Sequence, residues 1–279
     1  MTSLMIQGTS SGSGKSTIVA ALCRIFSNKG YKVAPFKSQN MSNFVYSKEG
    51  FEISRAQAIQ ALAARCEITP DLNPILLKPL GNYTSLVLVQ GKTFKKMTAK
   101  KYYQNFAIKK GLEIAKKSLY KLQKEYDLVI LEGAGSPAEI NLAKFDIANM
   151  KMAKVAKSPV ILVSDIDRGG AFASIIGTLE LLEKKYNELI RGFIINKFRG
   201  DIEILKPSFK KIKQKTRKPV FGTIPLIPIN LPQEDSLGEK PGPWKWHKKN
   251  YQIVEKELDS LSRTVKSHVN IKKIEELIF

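Results

Sequence analysis

Leu4-Met5-Ile6-Gln7-Gly8-Thr9-Ser10-Ser11-Gly12-Ser13-Gly14-Lys15-Ser16-Thr17 decides how this chain is read. A short apolar run leads into a Gly/Ser-rich loop. The loop ends in Gly-Lys-Ser-Thr at the head of a helical run, Ile18 to Phe26. Strand, glycine-rich loop and helix in that order define a phosphate-binding loop, or P-loop. Its backbone N–H groups, the helix N-terminus and a lysine together hold a polyphosphate. Gly12, Gly14, Lys15, Ser16 and Thr17 are therefore the nucleotide-binding candidates, and Ser16 would offer its hydroxyl to magnesium. Five residues separate Gly8 from Gly14, one more than the strict pattern has. A merely flexible Gly/Ser turn would not explain why Lys15 follows Gly14.

Outward from this loop, strand-like and helix-like segments alternate. Apolar runs fall at Leu4–Gln7, Lys32–Phe36, Ser85–Val89, Leu128–Leu131, Val160–Ser164, Gly192–Asn196 and Val220–Ile224. Most are continuous rather than alternating, as parallel strands covered on both faces are. Helical patterns lie between them at Glu52–Cys66, Lys100–Lys124, Ile147–Lys157, Ala171–Tyr186 and Ile202–Lys215. The expected fold is α/β: a doubly wound, mostly parallel sheet of about seven strands with a P-loop, plus a short helical C-terminal tail.

In such sheets ligands sit at the carboxyl ends of the strands. The residues there are polar in every case: Lys37-Ser-Gln-Asn40, Glu132-Gly-Ala-Gly-Ser136, Asp165-Ile-Asp-Arg-Gly-Gly170 and Lys197-Phe-Arg-Gly-Asp201. A sheet serving only as scaffold has no need of them. Lys15 is expected at the β- and γ-phosphates. Ser16 and Glu132 are expected at magnesium. Lys37 would neutralise charge on a transferred phosphoryl or a substrate carboxylate. Asp165 and Asp167 would serve magnesium or substrate, or an Asp–Arg168 pair would order the loop. Asn196 would bond the nucleotide base, or simply form a turn.

At 279 residues the chain can bury a full core. With 43% hydrophobic and 25% charged residues it has an ordinary globular composition. No apolar run approaches the roughly 18 residues of a membrane span, and the N-terminus reads as a strand rather than a signal peptide. A cytoplasmic protein is expected. Cys23 and Cys66 fall in helical patterns and read as free thiols. The two histidines, His247 and His268, lie near the C-terminus and offer no metal or triad site. The net charge of +21 is carried mostly by lysine: only eight of 46 basic residues are arginine. It reads as a nucleic-acid surface, as attraction for an acidic small molecule, or as a solvated lysine coat. Aromatics do not interleave with the basic runs in a stacking pattern, which argues against nucleic acid.

Several blocks resemble the synthetase domain of cobyric acid synthase. They are Gln7-Gly-Thr with Gly14-Lys-Ser-Thr17, Pro35-Phe-Lys-Ser-Gln-Asn-Met41, Ser54-Arg-Ala-Gln-Ala58, Asn73-Pro-Ile-Leu-Leu-Lys-Pro79, Glu132-Gly-Ala-Gly-Ser-Pro-Ala-Glu-Ile-Asn-Leu142, Asp146-Ile-Ala-Asn-Met150, Asp165-Ile-Asp-Arg-Gly-Gly170 and Ile195-Asn-Lys-Phe-Arg-Gly-Asp201. They run in order from about Met5 to Ser236. The fold is similar to that of dethiobiotin synthetase, whose P-loop has the same longer spacing. The resemblance implies an ATP- and Mg2+-dependent ligase that amidates peripheral carboxylates of adenosylcobyrinic acid a,c-diamide through an acyl phosphate. It implies that Lys15, Ser16, Thr17, Lys37, Glu52 and Glu132 form the phosphate and metal centre. Glu52 is placed there by analogy with the acid that opens the corresponding helix of dethiobiotin synthetase. Gln39, Asn40, Ser136, Glu139 and Asn141 fall on the corrin side.

Members of that family normally continue into a glutamine amidotransferase domain, whose nucleophilic cysteine and His-Glu pair are not in this sequence. Residues 1–236 read as the synthetase domain and residues 237–279 as a linker and helical tail. The linker, Leu237 to Lys249, carries Trp244 and Trp246, which would pack on the parent domain or anchor a partner. The tail runs, Tyr251–Val265 and Ile271–Ile278, resemble the last helices of full-length members, as if a glutaminase module were lost. Val254, Leu258, Leu261 and Val265 would equally cap the sheet domain or form a homodimer contact. The resemblance then implies ammonia from solution or from a separate glutaminase subunit. Two rivals stay open: a repurposed ATPase or amide ligase of the same fold, and a ParA-like nucleotide switch binding nucleic acid.

Overall fold

The computed structural model describes residues 2–228, 231, 243–244 and 248–279, with backbone alone at 243–244 and 248–250. From the N-terminus, β1 (Thr2–Gly8) enters the P-loop and α1 (Lys15–Asn28) leaves it. β2 (Val33–Phe36) is followed by the short strands β3 (Gln39–Met41), β4 (Val45–Lys48) and β5 (Phe51–Ser54), then by α2 (Arg55–Ala64). A meander follows: β6 (Ile75–Gly81), β7 (Thr84–Val89) and β8 (Lys92–Thr98). The helical turn α3 (Ala99–Lys101) runs through a π-helical stretch, Tyr102–Gly111, into α4 (Leu112–Glu125). The alternation then resumes with β9 (Leu128–Glu132), α5 (Met150–Ala156), β10 (Val160–Asp165), α6 (Ala171–Leu181), α7 (Lys184–Asn187), β11 (Ile190–Phe198), α8 (Lys206–Thr216) and β12 (Val220–Pro225). β13 (Pro243–Trp244), α9 (Lys248–His268) and α10 (Ile271–Ile278) end the chain.

Six of the seven predicted runs form one parallel sheet, in the order β12-β11-β10-β1-β9-β2. The seventh, Ser85–Val89, lies in a separate four-stranded sheet, β3-β6-β7-β8, with β6, β7 and β8 antiparallel. Alternate residues of the central strands feed two cores. Leu4, Ile6, Ile130 and Val163 pack beneath α1, α9 and α10, while Met5, Leu131, Leu162 and Phe193 pack beneath α4, α5 and α6. Both faces are covered, which is why these strands read as unbroken apolar runs.

One local expectation changes, and the tail takes one of its two expected places. Glu52 does not open a helix: Phe51–Ser54 pairs antiparallel with Val45–Lys48, and the helix starts after the extended Ser54, at Arg55. The tail packs on the sheet domain: Val254, Leu258, Leu261 and Val265 are buried in the same core as α1. Arg24 of α1, fully buried, pairs with Glu255 at 2.8 Å and Asp259 at 3.5 Å. Tyr31 stacks on Phe279 at the far end. Most of the 237–249 linker, Trp246 included, lies outside the described residues; the backbone of Pro243–Trp244 pairs with β4. Cys23 and Cys66 are free thiols.

Candidate active site

The P-loop, the ends of β2 and β9 and the start of α2 enclose a cavity of about 860 Å³. Its lining includes Gly12, Gly14, Lys15, Ser16, Thr17, Lys37 and Glu132. The centre is Glu132, whose side chain is fully buried at the last position of β9. Its Oε1 accepts from Lys37 Nζ at 2.7 Å and from Ser16 Oγ at 2.8 Å. Its Oε2 accepts from Gln60 Nε2 of α2. Burial opposes ionisation of this carboxyl, but the Lys37 charge and the hydrogen bonds of Lys37, Gln60 and Ser16 outweigh it and hold it below the usual carboxylate range. Lys15, also buried, donates to Ser10 O at 2.9 Å and Gly135 O at 3.1 Å. It thereby ties the P-loop to the loop after β9.

That second loop is held by Asn149. Its Oδ1 accepts from Ala134 N at 3.1 Å and its Nδ2 donates to Ala134 O at 2.7 Å. A Cβ on Gly133 would meet Asn149 Oδ1 at 2.3 Å, so only glycine admits this approach. Asn149 belongs to the Asp146-Ile-Ala-Asn-Met block, and here that block has a mechanical role. Gln60, which holds Glu132 from 72 residues away, is not among the residues the sequence pattern points to.

Of the expected substrate residues, Gln39, Asn40, Ser136 and Glu139 line the cavity. Asn40 also spends its amide on Ser54 Oγ at 2.7 Å and Gln57 Oε1 at 3.2 Å. Asn141 is exposed and not in the lining. Nor is Glu52, which pairs with Lys78 at 2.9 Å on the antiparallel β4–β5 hairpin. Asp165 and Asp167 are outside the lining too. Asp165 bonds Lys197 at 2.8 Å, and the loop-ordering pair is Asp167 with Arg199 at 2.9 Å, not with Arg168. Asn196 turns to the P-loop instead of the cavity, donating to Ser13 O at 2.9 Å. Lys197, beside it, donates to Gly12 O at 2.7 Å. The end of β11 thus clamps two successive P-loop carbonyls.

This clamp sets a first prediction. Gly14 has φ +95°, and a Cβ there would lie 2.0 Å from Asn196 Nδ2. Gly14→Ala is expected to weaken nucleotide binding at least about tenfold, through backbone strain and the displaced amide. Titration with a fluorescent ATP analogue measures it. In the Asn196→Ala background the clash is gone and the strain remains, so part of the loss should return.

For magnesium the donor chemistry fits. Ser16 Oγ and the Glu132 carboxylate are hard oxygen ligands already in contact. Mg2+ takes one or two such protein ligands and completes its shell with phosphate oxygens and water. Among the described residues no group of three or more His, Cys, Asp or Glu forms a self-contained metal site, and no helix is long and apolar enough to cross a membrane.

Fold and site together define a P-loop nucleotide-binding protein of the α/β class. Residues 4–235 match the CobQ/CobB/MinD/ParA nucleotide binding domain, and the chain belongs to that family. It is 55% identical over 242 residues to a probable cobyric acid synthase of Thermococcus kodakarensis, covering 85% of this chain and 49% of that protein. It is 49% identical over 236 residues to a cobyric acid synthase of Desulfitobacterium hafniense, covering 84% and 46%. The chain spans about half the length of the curated relatives it matches. Among solved structures, cell division protein FtsY of Thermotoga maritima aligns with a TM-score of 0.49 at 14% identity, covering 94% of this chain and 68% of that one.

Proposed function

We propose that the chain uses ATP and magnesium to activate peripheral carboxylates of adenosylcobyrinic acid a,c-diamide for amidation to cobyric acid, a cytoplasmic step of cobalamin biosynthesis. The observation that carries this reading is the buried Lys37–Glu132 pair, joined by half-buried Ser16 of the P-loop, in a chain about half identical to cobyric acid synthases. A carboxylate is a poor electrophile, so amidation needs a leaving group, and a γ-phosphoryl provides one. The substrate carboxylate oxygen attacks the γ-phosphorus, the bond to the β-phosphate oxygen breaks, and an acyl phosphate and ADP result. Ammonia then attacks the acyl carbon, phosphate leaves with the C–O electron pair, and the surplus proton of nitrogen ends on phosphate.

The P-loop amides and Lys15 bind the polyphosphate. Lys37 would meet the charge that gathers on the transferred phosphoryl and the incoming carboxylate. Ser16 and Glu132 would hold the magnesium ion, which when bound neutralises phosphate charge. Gln60 keeps the Glu132 carboxylate oriented. The ammonia comes from solution or from a separate glutaminase subunit.

The test is ATP turnover and corrin mass with ammonium, with glutamine alone, and with neither. Amidation with ammonium only supports an ammonia-dependent synthetase. ATP hydrolysis with no corrin change in any arm overturns it. The high net charge supports one rival, a nucleotide switch on nucleic acid, which predicts DNA binding that weakens steeply with salt.

A further inference from the structure

The π-helical stretch Tyr102–Gly111 stands next to the cavity, and nothing in nucleotide binding calls for it. Such irregular turns gather at functional sites. Tyr102, at its start, is 2% exposed, and its hydroxyl donates to Gln39 Oε1 at 2.7 Å. In this arrangement the Gln39 amide oxygen is turned to the buried tyrosine and its NH2 group the other way. Gln39 lines the cavity two residues beyond Lys37. Tyr103 lines the same cavity, and its ring meets that of Tyr102 edge-on with centroids 5.3 Å apart. Burial and the nearby Asp146 carboxylate push the Tyr103 hydroxyl up, so it stays a proton donor at neutral pH.

We propose that Tyr102, Gln39 and Tyr103 form a chain of oriented donors that binds an oxygen of the substrate carboxylate beside Lys37. Gln39 and Tyr103 touch the substrate, and Tyr102 is a positioning residue acting through Gln39. Lys37 supplies charge, while the amide N–H and the phenol supply direction. The set presents N–H and O–H groups only, which suits an anionic oxygen before phosphorylation and a carbonyl oxygen afterwards. If Tyr102 loses its hydroxyl, the Gln39 amide is free to flip, and an amide oxygen would then face the carboxylate. This rests on the corrin-carboxylate reading above.

The test is Tyr102→Phe, which keeps the ring and removes the bond. We expect KM for adenosylcobyrinic acid a,c-diamide to rise about tenfold, the size of one hydrogen bond to a charged group, with KM for ATP unchanged. In a Gln39→Ala background the same substitution is expected to add nothing. Equal rises for both substrates, or full additivity with Gln39→Ala, would assign Tyr102 a packing role and overturn the proposal. Corrin binding is followed in parallel by absorbance titration in the presence of a non-hydrolysable ATP analogue. If the wild type binds the corrin without amidating it, and Tyr102→Phe binds about tenfold more weakly, the donor chain stands and the ligase reading falls. If the wild type amidates and Tyr102→Phe is unchanged, the ligase reading stands and the donor chain falls. If the wild type neither binds nor amidates the corrin, both fall.

Discussion

Lys37→Met is expected to lower corrin-dependent ATP turnover by roughly 10²–10³-fold, the usual consequence of removing one preorganised charge from developing phosphoryl or carboxylate charge. The same change is expected to cost about 3 kcal/mol of stability, because breaking a buried ion pair leaves its partner uncompensated. Both side chains of the pair are almost wholly removed from solvent, so little is screened away. The stability effect is isolated in a double variant. Glu132→Gln added to Lys37→Met replaces the stranded carboxylate with a neutral amide, so most of the stability should return. Urea unfolding of the wild type, Lys37→Met and the double variant decides it, while turnover is compared between wild type and Lys37→Met alone, because Glu132→Gln also removes a magnesium ligand; turnover of Lys37→Met close to wild type would show that Lys37 acts only as a strut.

The pH dependence follows with a definite sign. In the wild type the folded-state Glu132 carboxyl lies below its ordinary 4.5. Its stabilising contribution is therefore fully present above that value and is lost as pH falls through the lower folded value. In Lys37→Met the main attraction is gone and burial raises the carboxyl instead. Its contribution then reverses, and stability is lost as pH rises. The urea midpoint of Lys37→Met relative to wild type should accordingly be closer at pH 5 than at pH 8. A constant difference across that range would mean that Glu132 is not the group left stranded.

The residues of the site and of the fold are unequally visible in the sequence. Lys15, Ser16, Lys37 and Glu132 were legible because each sits at a fixed offset from a strand end, and a parallel sheet brings all its strand ends to one side. The central strands were legible because burial on both faces leaves continuous apolar runs. β8 was not: Lys-Thr-Phe-Lys-Lys-Met-Thr reads as a charged surface run, and it forms an edge strand whose lysines discourage further pairing. Glu52 misled because Glu52–Cys66 is periodic enough for a helix, while the antiparallel partner that makes Phe51–Ser54 a strand lies just before it. Asn196 shows a different limit: read as a ligand of the nucleotide base or as a turn former, it donates its Nδ2 to the P-loop carbonyl of Ser13. Gln60 and Tyr102 come from helices remote in sequence from the groups they orient, and no local pattern marks that pairing.

The second large effect concerns the tail. Glu255→Ala with Asp259→Ala is expected to destabilise the protein by about 2–3 kcal/mol, less than a fully buried pair would cost because both carboxylates are partly wet. The cause lies on α1, not on α9. Arg24 is fully buried in the helix that begins at the P-loop, and besides these carboxylates its guanidinium donates to Leu62 O at 3.3 Å. Arginine cannot shed its charge to escape the apolar core, so without the tail carboxylates the charge must be hydrated by local opening or endured. Arg24→Met in the same background removes the charge and fills similar space, so it should restore most of the loss. Thermal unfolding gives the readout, with a fall of roughly 5–10 °C for the double variant and recovery in the triple. If the tail were a separately folding appendage, the nucleotide domain would melt unchanged and only a helical signal would fall. A single shifted transition instead ties α9 to the helix that holds the phosphates. Because α1 carries Lys15 and Ser16 at its start, the double variant should then also bind nucleotide more weakly, and Arg24→Met should restore that binding with the stability.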